Sequence, residues 1–281
     1  MGVRLKLLVC VTFHFRTARL AVLKQVLAGM PSLADSVHVY VITNTTDPAE
    51  LDQIRAVTPR ADHCRVDLSV FNELPNPWLL PWAHKTVMLP HVNDPSYTHF
   101  MCIEDDIEVT RANVNYWVSG RQTLRPYRLY PSFLRSEWNE ALQGWVSTDV
   151  CHIAKISELP HLDLAPYVYV NIPQPYQGMF FYDRELMEEH VASPSFDIYK
   201  YGKLDKLEDP SWGGGGSAEA ANFALTFMDV PDGCISRNFV RCLSKYQVID
   251  PGAFVHHVPN NYANDPATPH GKILLSQLVV P

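Results

Sequence analysis

Three consecutive carboxylates, Glu104, Asp105 and Asp106, follow the apolar run FMCI that begins at Phe100. Adjacent carboxylates repel each other unless a cation binds them, and carboxylate oxygens are ligands that Mg²⁺ and Mn²⁺ prefer. If the apolar run is a buried strand of an open α/β sheet, the carboxylates lie at its carboxyl end, where ligands bind. The pattern therefore predicts a Mg²⁺ or Mn²⁺ site that carries phosphates. A solvated acidic turn is the alternative.

A tract of four glycines, residues 213–216, is the second feature that could take part in ligand binding or catalysis. It precedes Glu219 and a run over residues 220–227 that predicts a helix. Glycines at a helix start, here Gly214 and Gly215, leave backbone N–H groups accessible to an anionic or sugar ligand. Glu219 in the first turn would face the same cavity. A flexible linker followed by a glutamate that favours the helix dipole is the alternative.

Two adjacent histidines, His256 and His257, follow a strand-like segment over residues 246–249. A neutral imidazole can bind Mn²⁺ or carry a proton. Neighbouring residues of an extended chain point to opposite faces, so at most one of the two is expected to share a site with the carboxylates. Two partly buried histidines bonded to the backbone are the alternative.

Composition limits the class of protein. The chain has 281 residues, 47% of them hydrophobic, which is enough to bury a full core, and a net charge of -7, which argues against a nucleic-acid-binding surface. The six cysteines form no CxxC pair and are predicted to be thiols in a reducing compartment. We expect a cytoplasmic protein, because the apolar run over residues 7–13 lacks a cleavage site and no segment reaches the length of a membrane span.

The elements that position these residues alternate between strands and helices in the first half, as in βαβ units. Asp47 is predicted to be an N-cap, with Pro48 at the first helical position. Residues 126–137 are predicted to form a loop or an edge strand. The predicted strands are 5–13, 37–43, 66–71 and 99–103, and the predicted helices are 17–28, 48–56, 82–89 and 113–124.

These features in this order resemble the common core of the GT-A glycosyltransferases, and more distantly the exostosin-like ones. Glu104, Asp105 and Asp106 stand in the place of the DxD motif, although this chain has glutamate first and two adjacent aspartates. The resemblance implies a single Rossmann-like α/β domain over residues 1–281, with a mostly parallel central sheet flanked by helices. Residues 1–110 would bind the nucleotide sugar and residues 111–281 the acceptor.

The implied reaction is metal-dependent transfer of a sugar from a nucleotide diphosphate, with UDP favoured, to a hydroxyl of a glycan or glycoconjugate. Asp106 is expected to be the main ligand of Mn²⁺ or Mg²⁺, with Asp105, His256 or His257 as further ligands. Glu219 is expected to be the base of an inverting displacement, and Asp209 is its rival. The residues expected to contact the donor are Thr12, His14, Arg16, Asn44, His84, Lys85, Glu104, Asp105, Gly214 and Gly215.

Three other classes of protein share part of this pattern. A sugar-nucleotide pyrophosphorylase would show glycines after the first strand, whereas this chain has Thr12-Phe13-His14-Phe15-Arg16 there. A metal-dependent hydrolase would show more histidine and aspartate ligands on several strands. A non-catalytic carbohydrate-binding protein would use the carboxylates for a metal alone and would not bind a nucleotide. For His84 and Lys85, a solvated helix face is the alternative to a nucleotide contact.

Overall fold

The computed structural model describes residues 4–74, 77–173, 175–176, 178–197, 221–243 and 248–280. Within these residues the α-helices are α1 (Leu20–Gly29), α2 (Pro48–Ala56), α3 (Ala83–Val92), α4 (Arg111–Leu124) and α5 (Arg184–Ala192). The strands are β1 (Lys6–Phe13), β2 (Ser36–Thr43), β3 (Cys64–Val70), β4 (His99–Glu104), β5 (Ile107–Glu108), β6 (Tyr130–Pro131), β7 (Leu134–Asn139), β8 (Gly144–Ser147), β9 (Ala154–Lys155), β10 (His161–Leu164), β11 (Tyr167–Val170), β12 (Phe180–Asp183), β13 (Asn238–Leu243), β14 (Val248–Ile249), β15 (Phe254–His257), β16 (Ile273–Leu274) and β17 (Val279–Val280).

The chain forms two compact units, each assembled from two segments. The first unit lies within residues 1–107 and 177–225, and the second within residues 108–176 and 226–281. Both contain helices and sheets, and the predicted α/β class is confirmed. The six cysteines are free thiols, as predicted.

A five-stranded sheet in the order β3-β2-β1-β4-β12 forms the centre of the first unit. Strands β1 to β4 are parallel and β12 is antiparallel to β4. The central strand β1 has the sequence KLLVCVTF and is buried from Leu7 onwards, as expected for a parallel strand that is covered on both faces. The four predicted strands and four predicted helices of the first half all occur, with shifts of a few residues at their ends.

Local capping explains where two of the helices begin. The Asp47 side chain accepts a hydrogen bond from the backbone N–H of Ala49 at 2.8 Å, and Pro48 occupies the first turn of α2. This is the predicted cap, and it satisfies one of the helix's unpaired N–H groups. Helix α4 begins with a reciprocal cap in which Thr110 and Asn113 bond to each other's backbone.

The second unit contains two larger sheets. One has the strand order β10-β11-β13-β14, with β6 pairing with β13, and the other has the order β16-β8-β7-β15-β5. Strand β7 is paired on both sides, with β8 and with β15. The prediction of a loop or edge strand over residues 126–137 is therefore wrong for the residues of β7, because β15, from a distant part of the chain, covers the edge that β8 leaves open.

The prediction of a helix over residues 220–227 is also wrong for most of the residues in that range that the structure describes. Only Ala221 and Asn222 are helical, and a turn follows over residues 224–227. Ala224 has a φ of 43°, in the left-handed region that breaks a helix. Tertiary hydrogen bonds hold this turn, since Asn222 donates to the Gly178 carbonyl at 2.9 Å and the Leu225 N–H donates to the Tyr182 hydroxyl at 3.0 Å. These bonds outweigh the local helix preference.

Candidate functional site

The carboxyl ends of β1 and β4 form the candidate site, in the first unit. The strand order 3-2-1-4 reverses between β1 and β4, and in such a sheet ligands bind outside the carboxyl ends at the point of reversal. Thr12 near the end of β1 lies opposite Glu104 at the end of β4. The loop after β1 and the acidic triplet after β4 are therefore brought to the same edge of the sheet.

Arg19 joins these two loops through the acidic triplet. Its Nε donates to Asp105 Oδ2 at 2.8 Å and its Nη2 donates to Asp105 Oδ1 at 2.7 Å. The same Nη2 donates to Asp106 Oδ2 at 2.8 Å. Both aspartates are buried, whereas the Arg19 side chain remains 38% exposed. A fork of this kind fixes the orientation of both carboxylates.

Burial dominates the electrostatics of this cluster. Burial raises the pKa of Asp105 to about 6, and the negative charge of Asp106 adds to the rise, whereas the hydrogen bonds and charge of Arg19 oppose it. Burial also lowers the pKa of Arg19, but its hydrogen bonds and its attraction to Asp105 and Asp106 outweigh this effect and raise it. Arg19 therefore favours the charged form of Asp105 and opposes the effect of burial.

The arrangement of Asp105 and Asp106 fits a divalent cation. The two carboxylates converge on one nitrogen of Arg19, so they present oxygens to a common point that favours positive charge. Across the described ranges, no group of three or more His, Cys, Asp or Glu side chains is arranged to hold a metal ion. Mg²⁺ is usually bound by one or two carboxylates, and substrate phosphates and waters complete its coordination.

Sequence reasoning did not identify Arg19. A signal was present, because a crowded acidic group requires a nearby cation and Arg19 lies in the turn that directly precedes α1. Nothing local, however, distinguishes it from Arg16, which was predicted instead and is exposed. The choice depends on the order of the strands, which places the turn after β1 beside the end of β4.

The other predicted residues of this edge lie at the ends of β1 and β2. Thr12 is buried. His14 is partly buried. The side-chain oxygen of Asn44 accepts a hydrogen bond from the Phe15 N–H at 2.8 Å, which ties the loop after β2 to the loop after β1. Asn44 therefore shapes the site by fixing the backbone of Phe15.

His84 and Lys85 lie in the interior of the first unit, and the alternative of a solvated helix face is wrong. His84 has no exposed surface, and Lys85 is 5% exposed. Lys85 Nζ donates to the Ser195 carbonyl at 2.5 Å and lies 3.8 Å from the centroid of the Trp82 ring. Burial lowers the pKa of Lys85 to about 7. The predicted contact of these two residues with a nucleotide stays a prediction.

Two buried histidines beside Lys85 make the first unit sensitive to acid. Burial, assisted by the charge of Lys85, lowers the pKa of His84 to about 3 and that of His190 well below its ordinary value of 6.5. The unfolded chain takes up protons as the pH falls below 6.5, and the folded chain does not, so the free energy of unfolding falls with the pH. Asp105 acts in the opposite direction between pH 6 and pH 3.8, because its folded pKa is raised.

We expect His84→Phe to remove part of this pH dependence. In the wild type, His84 alone should lower the free energy of unfolding by about 2.5 kcal/mol between pH 7 and pH 4.5. Phenylalanine keeps the ring contact with Phe180 and carries no titrating group. Urea denaturation at the two pH values measures the difference, and His161→Phe, at an exposed position, is the control. Equal pH dependence in the wild type and His84→Phe would contradict the assignment.

His256 and His257 lie on β15 in the second unit, and each bonds to a carboxylate there. His256 Nδ1 lies 3.3 Å from Glu108 Oε2. His257 Nδ1 makes a short hydrogen bond to Glu137 Oε1, and Glu137 Oε2 accepts from the Ala263 N–H at 2.6 Å. The two histidines point to opposite faces of the strand, as predicted. Their expected role as metal ligands stays a prediction.

The remaining predicted site residues lie outside the described residues. They are Asp209, Gly214, Gly215 and Glu219. Their roles as base, rival base and donor contacts stay predictions from the sequence.

Comparison with known proteins identifies no family for this chain. No protein-family model matches the sequence, and no curated protein matches it. Among the described helices, none is both long enough and apolar enough to cross a membrane.

Proposed function

We propose that this protein is a metal-dependent glycosyltransferase of the GT-A type, which transfers a sugar from a nucleotide diphosphate, with UDP favoured, to a hydroxyl of a glycan or glycoconjugate. The observation that carries the proposal is the convergence of Asp105 and Asp106 on one cationic nitrogen at the carboxyl end of β4. A cation-binding acidic pair at a point of strand reversal is a suitable place for a diphosphate.

The fold of the first unit supports nucleotide binding. Parallel strands in the order 3-2-1-4 with intervening helices form the mononucleotide-binding half of many α/β proteins. The base and ribose would lie against the loops after β1 and β2, where Asn44 holds the Phe15 N–H. Thr12, with its buried hydroxyl near Glu104, would line the inner end of this crevice.

Asp105 and Asp106 would hold a Mn²⁺ or Mg²⁺ ion, with Asp106 as the main ligand. When bound, such an ion neutralises the negative charge that develops on a diphosphate leaving group. Arg19 competes for the same carboxylate oxygens, so donor binding would release part of its fork. A guanidinium released in this way can donate two parallel hydrogen bonds to phosphate oxygens. His256 or His257 is the proposed further ligand; each bonds to a carboxylate through Nδ1, as metal-ligating histidines usually do through the nitrogen that does not bind the metal.

The acceptor hydroxyl requires a base, and Glu219 is proposed for this role. A carboxylate that removes the proton as the hydroxyl attacks gives a single displacement with inversion. Asp209 remains its rival. A metal-dependent hydrolase would need no sugar acceptor, and a carbohydrate-binding protein would not bind UDP. Nucleotide binding and acceptor dependence therefore separate the three classes.

Thermal stabilisation by nucleotide diphosphates tests the proposal. We expect one nucleotide, in the presence of Mn²⁺ and not in its absence, to stabilise the protein by about 2.7 kcal/mol at a hundredfold excess over its Kd. For a chain of this size this corresponds to a rise in Tm of roughly 5 to 10 °C. Differential scanning fluorimetry with ADP, CDP, GDP, TDP and UDP, each with and without Mn²⁺, measures the shift.

Two outcomes contradict the proposal. Absence of a shift with every nucleotide in the presence of Mn²⁺ would favour the carbohydrate-binding or hydrolase classes. A shift of equal size without metal would leave nucleotide binding in place and remove the metal from it. Mn²⁺ alone is the control, because it reports on cation binding without the nucleotide.

A further inference from the structure

Arg19 stands between the two carboxylates that the proposed metal ion would bind. Its Nη2 lies 2.7 Å from Asp105 Oδ1 and 2.8 Å from Asp106 Oδ2. A Mg²⁺ ion bound to these oxygens lies ~2.1 Å from each of them. On any side of the oxygens, such an ion is within about 5 Å of the position of Nη2. Two positive charges at this separation repel each other, so the guanidinium disfavours the ion as long as it stays on the acidic pair.

The acidic pair needs one of these two cations. Asp105 is 6% exposed and Asp106 is 9% exposed, and a buried carboxylate costs free energy unless it is paired. Removing one partner of a buried ion pair leaves the other charge uncompensated and destabilises the fold. Arg19 is therefore a counter-ion that supports the acidic pair in the absence of metal, and a divalent ion can take over that support.

The Arg19 side chain is placed so that its charged end can leave the acidic pair. The side chain is 38% exposed, and among the described residues it bonds to Asp105 and Asp106 alone. Its backbone is fixed in the turn Thr17–Arg19, where the Arg19 N–H donates to the Arg16 carbonyl at 2.9 Å. A change of side-chain rotamer therefore moves the guanidinium while the turn stays in place.

The N-terminus of α1 provides a second attraction for phosphate beside Arg19. Arg19 is the N-cap residue of α1, and the first turn of this helix contains no acidic residue. The N-terminal end of a helix carries partial positive charge and favours phosphate groups. A diphosphate at this edge of the sheet is attracted by both the helix and the guanidinium. Its negative charge therefore draws Arg19 away from the two aspartates.

From this arrangement we infer that Arg19 regulates the metal site: it is a built-in counter-ion that keeps divalent cations weakly bound until a nucleoside diphosphate binds. The nucleotide part of this inference rests on the proposed function. Without nucleotide, a metal ion must displace Arg19 from both aspartates. With nucleotide, Arg19 moves to the phosphate oxygens and the ion takes its place between Asp105 and Asp106. Metal and nucleotide then each raise the affinity for the other by the same factor.

Calorimetry on Arg19→Gln tests the inference, because the variant should change the two affinities in opposite directions. We expect Mn²⁺ alone to bind roughly tenfold or more tightly than it binds the wild type, since no guanidinium repels it. We expect UDP in the presence of Mn²⁺ to bind roughly tenfold or more weakly, since the phosphates lose a charged donor. Lys24→Gln is the matched control, because Lys24 is an exposed cation of α1. Both of its affinities should equal those of the wild type.

A purely structural role for Arg19 would weaken both affinities, and that result would overturn the inference. Equal binding of Mn²⁺ alone to the wild type and Arg19→Gln, or binding to neither, would also overturn it. Arg19→Lys keeps the charge without the fork, so its affinity for Mn²⁺ alone should lie between the other two; it replaces Arg19→Gln if that variant does not fold. If Arg19→Gln gains Mn²⁺ affinity but no nucleotide diphosphate binds the wild type, the proposed function and the coupling fail, and the counter-ion role of Arg19 stands.

Discussion

Asp106→Asn should abolish metal-dependent nucleotide binding and leave the fold intact. Asparagine has the same shape, and Asp105 keeps both of its hydrogen bonds to Arg19, so the loop after β4 retains its support. The variant loses the negative charge that a divalent cation needs. We expect the affinity for UDP in the presence of Mn²⁺, measured by calorimetry, to fall at least 100-fold, which corresponds to about 2.7 kcal/mol.

The matched control is Asp52→Asn in the same unit. Asp52 is exposed on α2 and pairs with Arg55, so the variant removes one negative charge from the first unit without touching the site. It should bind UDP and Mn²⁺ as the wild type does. Unchanged affinity in Asp106→Asn would exclude this carboxylate as the metal ligand. Equal losses in both variants would point to long-range charge instead of coordination.

Glu219→Gln should reduce turnover by about 10²-fold or more, the scale of a lost general base, while donor affinity stays unchanged. Glutamine keeps the size and polarity of the side chain but cannot accept the proton of the attacking hydroxyl. UDP release in the presence of a glycan acceptor measures turnover, and calorimetry with UDP and Mn²⁺ measures the donor site. A change confined to turnover is the signature of a group that acts in the transition state.

Asp209→Asn is the companion variant, because Asp209 is the rival base. With Glu219 as base, Asp209→Asn should turn over within a few-fold of the wild type. The reverse result, a large loss of turnover in Asp209→Asn and near-normal turnover in Glu219→Gln, would assign the role of base to Asp209. Near-normal turnover in both would contradict a carboxylate base in this part of the chain.

Sequence patterns predicted helices and strands most reliably where the residues that determine an element lie within the element itself. The run from Leu5 to Phe13 predicted a core strand because most of its residues are apolar, and β1 (Lys6–Phe13) is buried along almost its whole length. Asp47 and Pro48 predicted the start of α2 because capping involves residues two or three apart. The run over residues 220–227 shows the limit, because tertiary bonds to Gly178 and Tyr182 override its helix preference.

The candidate site was predicted in part for the same reason. Glu104, Asp105 and Asp106 are adjacent in sequence, and a strand that ends in carboxylates predicts a cation at that position. Arg19, the cationic partner of Asp105 and Asp106 in the structure, lies 86 residues from Asp105. Local periodicity carries no information on such a pair, because the contact depends on β4 lying next to β1.

The sequence by itself determined the strands and helices of the first half, the acidic end of β4 and the opposite orientations of His256 and His257, because these follow from residues a few positions apart. Only the tertiary structure decided that Arg19 binds the acidic pair, that Lys85 is buried, and that Trp138 and Trp145 stand side by side. The physical reason is that burial and side-chain pairing depend on which strands become neighbours. Neighbouring strands are selected by the packing of the whole core.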